Sequence, residues 1–354
     1  MDPLTHLLTG ACIARTGLNR SSTLATAVIV VAAELPDVDI LLELAGPVFG
    51  FQHHRGFTHT FLGVPLDALV AVLLVFVWQK LRRRWRTSKT QPNPPPTPRW
   101  GLLYGYACLG ALSHLLLDFT NQYGLRPFMP FSYRWYHWDI VSIIEPVMML
   151  ALVGGLALPS LFALINEEIG SRRRQSGRGS AIAALVIIAL LWGVRDLQHR
   201  RALAALNSLE YRDQLPMRLS AFPYSTNPFA WHGVVETDTF FETLPVDSLI
   251  PEVDPHRRAQ FFYKPEETPI TLAAKRSYLG QVYLDWADYP IVQVTPQPEG
   301  EWRVRFIDLR YHYPERQGQD DPLSPTEQLD AQGNVLWVRF NGIVQRTARI
   351  VQPR

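Results

Sequence analysis

Cysteine is nearly absent from this chain: two residues in 354, Cys12 and Cys108, both in apolar stretches. That excludes a disulfide framework, a CxxC redox pair and any cysteine-based zinc site, so a metal would have to be held by histidine and carboxylate. Met1 to His6 lack the basic stretch and small-residue cleavage site of a secretory signal peptide, so membrane insertion is expected from uncleaved segments. No internal repeat and no glycine-rich nucleotide loop is present. Charge is scarce at 19% of residues, and it is unevenly placed. Residues 1–200 hold 18 Lys and Arg against 12 Asp and Glu, which leaves 16 against 20 for the remainder, so a chain of net charge +2 divides into parts of +6 and −4.

The basic part concentrates its charges in short clusters between long apolar runs, as membrane proteins do. Residues 60–78 form such a run, with Asp67 its one charge, ending in Lys80 and Arg82–Arg84; further runs cover 101–119, 140–166 and 180–194. The stretch 92–98, five of its seven residues proline, is expected to be a stiff linker. Residues 4–16 and 22–35 are apolar but too short to cross a bilayer, and predict a helical hairpin turning at 17–20, with Pro36 ending its second arm. Thirteen Lys and Arg gather on one side if Arg15, Arg20 and the loops 80–99 and 172–178 share it, against Arg55, Arg126 and Arg134 opposite. The positive-inside rule makes the first side cytoplasmic, placing 1–6, 36–59, 120–139 and everything after Val194 outside. Those arginines flank apolar spans with no interleaved stacking aromatic beyond Trp85, which fits topology and not nucleic-acid binding.

From about residue 205, alternating segments at 231–237, 240–246, 291–295, 302–311 and 335–340 read as strands, Asp330–Asn334 as a turn and 270–285 as a helix. The expected fold is an α-helical membrane domain of five to six helices, including the short N-terminal hairpin, over residues 1–200. A small, mostly antiparallel β or α+β soluble domain of unknown role, over 201–354, follows it.

Six of the ten histidines fall in the membrane-flanking segments assigned to the outer face or, for His114, near the outer end of an apolar run: His6, His53, His54, His59, His114 and His137. Asp37, Asp39, Asp118, Asp139 and Glu145 accompany them. Ionisable groups at membrane depth are costly, and by default suggest a function. His114 and Asp118, at i and i+4, share one helical face, where both can bind a metal or Asp118 can orient the imidazole. In the loop from His53 to His59, Thr58 fits a helix N-cap, and Arg55 beside that helix start would favour phosphate. Asp37 and Asp39 can bridge metals or hold a water. Taken singly, each has a structural reading: an HxxxD on a helix is commonly structural, Asp37 and Asp39 can cap turns, and Tyr133, Trp135, Tyr136 and Trp138 around His137 read as an interface belt. Their convergence at one level favours a divalent metal site, with donors suiting zinc, manganese or iron. His199, His232, His256 and His312 show no ligand spacing.

Thr5-His6-xxx-Gly10, Pro36-Asp37-x-Asp39, His54-Arg55-Gly56-x-Thr58-His59 and Ser113-His114-xxx-Asp118 followed by Tyr123-Gly124 resemble, in combination, the YdjM-type inner-membrane metal-dependent hydrolases over residues 1–150. The resemblance implies a membrane-embedded helical hydrolase with metal ligands among His6, Asp37, His54, His59, His114 and Asp118. The order His6, Asp37, His54, His114-xxx-Asp118 is more distantly similar to zinc-dependent phospholipase C and P1-type nucleases. Their HxxxE pair has no counterpart here; His137, Asp139 and Glu145 are differently spaced candidates. The expectation is a multi-pass plasma-membrane hydrolase, most readily a zinc enzyme, acting on a phosphoester of a membrane lipid or lipid-linked molecule. Asp39 or Glu145 would act as base, Arg55 would steady the phosphate, and His137 is a further candidate ligand. A non-enzymatic protein with a structural metal and a partner-binding outer domain is the second expectation. A transporter, which needs polar residues along several helices, ranks third, since Asp67, Asp118 and Glu145 are the only carboxylates within the long spans.

Overall fold

The computed structural model describes residues 1–85, 97–168, 177–250, 252–255, 257–264, 266–314 and 323–346. Most of the expected proline linker, the arginines 172–174 and His256 lie outside them. The chain forms two compact units, one of Met1–Val38 with Arg55–Arg195 and the other of Asp39–His54 with Asp196–Arg354.

The first unit is helical. α1 (Pro3–Arg15) starts on proline, with Asp2 as N-cap accepting the Thr5 backbone N–H at 3.0 Å, and packs on α2 (Ala25–Glu34) after a 3-10 turn at Leu18–Arg20. At 13 and 10 residues these helices are about 20 and 15 Å long, short of a bilayer. A 3-10 stretch over Leu35–Ala45 follows. In the other unit α3 (Pro47–His53) is a two-turn helix. Among the described residues four helices are long and apolar enough to cross a membrane: α4 (Gly63–Trp85), α5 (Trp100–Phe119), α6 (Pro146–Glu168) over its first 18 residues, and α7 (Arg178–Asn207). Leu66, Leu69, Val70, Leu73 and Leu74 of α4 point outward, as a lipid-facing surface requires.

Three boundaries differ from expectation. The apolar run 140–166 becomes helix only at Pro146, which has no N–H to place inside a helix, while Asn121 and Val141 form an isolated bridge and the Ile140 N–H bonds the Thr120 carbonyl at 3.1 Å. α7 runs well past Val194. The expected cap Thr58 does not start α4; the Thr60 hydroxyl accepts from the Gly63 N–H at 2.8 Å instead, and Thr58 bonds His59.

Packing of α5 on α2 relies on Gly110, where a Cβ would stand 2.6 Å from the Ile29 carbonyl oxygen; Gly10 of α1 likewise meets Ala33. Small residues that let helix backbones approach are the usual device where lipid supplies no hydrophobic drive. Buried Ala25, Val28, Ala32, Ala68, Ala71, Leu103 and Ala107 complete this seam of α2, α4 and α5.

The second unit is α+β. Its first sheet contains β1 (Arg218–Pro223), β2 (Ala230–Glu236), β3 (Phe240–Asp247), β4 (Glu252–Val253) and β5 (Gln260–Tyr263), with β4 and β5 both pairing β3. α8 (Pro269–Arg276) and α9 (Tyr278–Trp286) occupy the segment predicted as one helix. It breaks because the Ser277 hydroxyl caps α9 at the Gly280 N–H, while the Ser277 backbone is extended. The second sheet is an antiparallel meander of β6 (Pro290–Pro296), β7 (Trp302–Asp308), β8 (Thr326–Leu329), β9 (Val335–Phe340) and β10 (Ile343–Arg346). The expected turn is present, with the Asp330 carboxylate accepting from the Gln332 and Asn334 N–H groups and Gly333 at φ +84°. α3 belongs to this unit: Phe51 stands edge-on to Trp286 at 5.2 Å and to Phe340 at 4.8 Å, and the Tyr278 hydroxyl donates to Gln52.

Under the second sheet Glu327 is fully buried, accepting from the Ser277 hydroxyl at 2.8 Å. Burial pushes its carboxyl up to about 8, so the folded state holds the proton more tightly than the unfolded chain. The stabilisation is complete below the ordinary value of 4.5 and is lost as pH rises from there through 8. Glu327→Gln should flatten this dependence, stabilising the unit near pH 9 by on the order of 4 kcal/mol while changing little at pH 4, as read from thermal melts of the full chain.

Candidate metal centre

Among the described residues one group of potential ligands converges: Asp37, His59, His114 and Asp118, with one donor atom of each within 4.8 Å of all the others. α5 supplies His114 and Asp118 one turn apart, both wholly buried. Asp37 follows Pro36 in the 3-10 stretch after α2, and His59 ends a single 3-10 turn before α4. The His59 and His114 Nε2 atoms lie 3.3 and 3.5 Å from Asp37 Oδ1, and each is 3.4 Å from Asp118 Oδ2. Donors bound tetrahedrally at about 2.05 Å would be about 3.3 Å apart, so these separations match the edges of such a site.

The tautomers fit the same chemistry. His114 Nδ1 lies 2.7 Å from the Ala33 carbonyl, which can only accept, so the proton is on Nδ1 and the Nε2 lone pair faces the group. His59 Nδ1 lies 3.1 Å from the Thr58 hydroxyl, and its Nε2 stands 3.0 Å from that of His114. Two ring nitrogens facing each other between two carboxylates suit a shared cation.

Arg55, at φ +52° in the loop, is buried and donates to Asp118 Oδ1 at 2.9 Å, to the Gly124 carbonyl at 2.9 Å and to Asn121 Oδ1 at 3.3 Å, above the Tyr123 ring. Its guanidinium thus holds a ligand carboxylate, with the 121–124 turn behind it. The Met1 amino group also pairs with Asp118. Arg55→Lys, which loses the fork but keeps the charge, should lower metal affinity about 10–100-fold in a competition titration.

His6 stacks on His114 with ring centroids 3.7 Å apart, and its Nε2 is 3.4 Å from Asp118 Oδ1. Neither of its ring nitrogens has a hydrogen-bond partner; burial and then the neighbouring His114 push its pKa down to about 3, leaving a neutral imidazole beside the group. The other sequence candidates are held elsewhere. His54 bonds Asp39 at 3.0 Å within the second unit, His137 pairs with Asp139 at 2.8 Å, and Glu145 faces Arg195 at 3.6 Å. His53 bonds the Phe49 carbonyl. Of the expected belt only Tyr133 is exposed; Trp135 lies under Arg126 and Trp138 packs near Phe119. Sequence reasoning missed Glu34 at the end of α2, whose carboxyl is pushed up to about 7 by burial and then by Asp37, and Arg195, the partner of Glu145. Each was visible as an ionisable residue in or beside an apolar run.

The family model described as YdjM inner membrane protein matches residues 1–202, more than half the chain and all four ligands. This chain belongs to the YdjM inner membrane protein family. It is also similar to the uncharacterized protein YfhP of Bacillus subtilis (strain 168), 21% identical over 291 residues, covering 80% of this chain and 77% of the relative. That similarity extends beyond the family match into the β-rich part. No solved structure matches the chain. A YdjM-family membrane protein with a group of four potential metal ligands is thus established by sequence and geometry together.

Proposed function

We propose that this YdjM-family protein is a membrane-embedded hydrolase that binds zinc at Asp37, His59, His114 and Asp118 and cleaves a phosphoester of a lipid or lipid-linked molecule. The observation that carries the reading is an asymmetry of exposure: the side chains of His59, His114 and Asp118 are sealed, whereas Asp37 is 22% exposed, so the group opens on one side. A divalent ion held there would supply Lewis acidity, lowering the pKa of a water and polarising a phosphoryl oxygen. The chain's own residues then orient and sequester. Arg55 and Asn121 fix Asp118, the Ala33 carbonyl fixes His114, and His6 closes the stack behind it, excluding water. The phosphoester class rests on the sequence resemblance to phospholipase C and P1-type nucleases, of whose ordered residues Asp37, His114 and Asp118 lie in the group while His54 turns to Asp39. The positive-inside rule, applied to the basic residues, supports a second unit that lies outside the cell.

Purified protein reconstituted with zinc is expected to turn over at least one member of a phospholipid and prenyl-phosphate panel. Chelation should abolish turnover, and His59→Ala should lower it by at least about a hundredfold. Stoichiometric zinc without turnover on any member would reject the hydrolase. One observation favours a structural metal instead: four protein donors at tetrahedral spacing can close the coordination shell, as structural zinc sites do. X-ray absorption separates the two, a catalytic site showing a non-protein oxygen that exchanges with added phosphate.

A further inference from the structure

The second sheet carries a face unrelated to the metal centre. Two cross-strand rows run over it, Thr295–Arg303–Gln328–Trp337–Arg346 and Gln293–Arg305–Thr326–Arg339–Val344. Alternation along each strand puts both rows on the same side, opposite the buried Val304, Phe306, Val338 and Phe340. These ten positions hold four arginines and no carboxylate; at the margin Glu301 accepts from the Gln328 amide. Among the described residues Arg303, Arg339 and Arg346 have no acidic partner, and all three are exposed. Arg303, Trp337, Arg339 and Val344 line a pocket of 340 Å³. On the edge strand β10, Val344 of the second row adds an exposed apolar side chain, 56% accessible.

We propose that this face docks on the phosphate headgroups of an anionic lipid bilayer. The guanidinium fork matches phosphate geometry, and an indole beside an exposed valine suits the bilayer interface, whereas a site for a soluble anion has no need of exposed apolar residues at its rim. Covalent continuity with the membrane-spanning α7 makes a bilayer a permanent neighbour at high effective concentration, so weak individual contacts suffice. The proposal stands whether or not the metal centre is hydrolytic.

The test uses the full chain in nanodiscs of phosphatidylcholine, alone or mixed with phosphatidylglycerol, read by hydrogen–deuterium exchange of peptides covering 302–308 and 335–346. Anionic discs should slow exchange in these peptides by about fivefold, high salt should reverse the effect, and the double substitution Arg303→Glu with Arg339→Glu should remove it while β1–β3 keep their protection. If that variant loses β1–β3 protection, Arg339→Gln alone replaces it and should halve the response. Equal exchange in both disc types overturns the proposal, as does an unchanged response in the variant. Equivalent protection by inorganic phosphate in phosphatidylcholine discs identifies a soluble anion as the ligand and also overturns it.

Discussion

Asp118→Ala is expected to abolish metal binding and to cost the protein about 3–5 kcal/mol, because it strands the buried Arg55 guanidinium without its carboxylate. Elemental analysis of the purified variant should find metal at less than about a tenth of the wild-type content, since second-sphere changes alone lower affinity 10–100-fold. The double variant Asp118→Ala with Arg55→Ala separates the effects: it should regain part of the lost stability, yet no metal. Wild-type metal content in either variant would refute the assignment. His114→Ala should lose the metal with a smaller loss of stability, because the Ala33 carbonyl it leaves behind is a weaker orphan than a cation.

The second large effect acts from a position with no donor atom. Gly110→Leu would drive a side chain into the α2 backbone at Ile29, one helical turn before His114 on the same face of α5. Overpacking of this kind costs about 1–3 kcal/mol, so a melting temperature lower by roughly 5–10 °C is expected. Separation of α5 from α2 should also weaken the bond between His114 Nδ1 and the Ala33 carbonyl and lower metal affinity about tenfold. Gly101→Leu, on the same helix with open space around it, is the control and should leave both measurements unchanged.

Apolar runs located the spanning helices because bilayer thickness imposes a length, and His114 with Asp118 was legible because helical spacing fixes which side chains share a face. The convergence of loops was not. His54, Arg55 and His59 lie within six residues, yet His54 turns to Asp39, Arg55 to Asp118 and His59 to the ligand group, since Arg55 at positive φ and a 3-10 turn replace the regular spacing a helix would give. Asp39 and Glu145 looked like free bases in a linear reading, and each already has a partner, in one case Arg195 about fifty residues away. In the β-rich part β2, β3, β6, β7 and β9 were readable, whereas β1 was not, and the expected strand 302–311 gives way to a 3-10 turn at Leu309–Tyr311. β4, β5, β8 and β10, of two to four residues, are too short to show a period.

The membership of residues 39–54 in the second unit bears on how the protein is made. Phe51 finds Phe340 only after nearly three hundred further residues have left the ribosome, so α3 emerges early and waits through most of synthesis for the surface that buries it. Asp37 and Arg55 border that waiting segment. Assembly of the candidate metal site in a nascent chain should therefore be late and post-translational, and a gene cut after residue 200 would retain all four potential ligands while leaving the stretch between two of them without its folding partner.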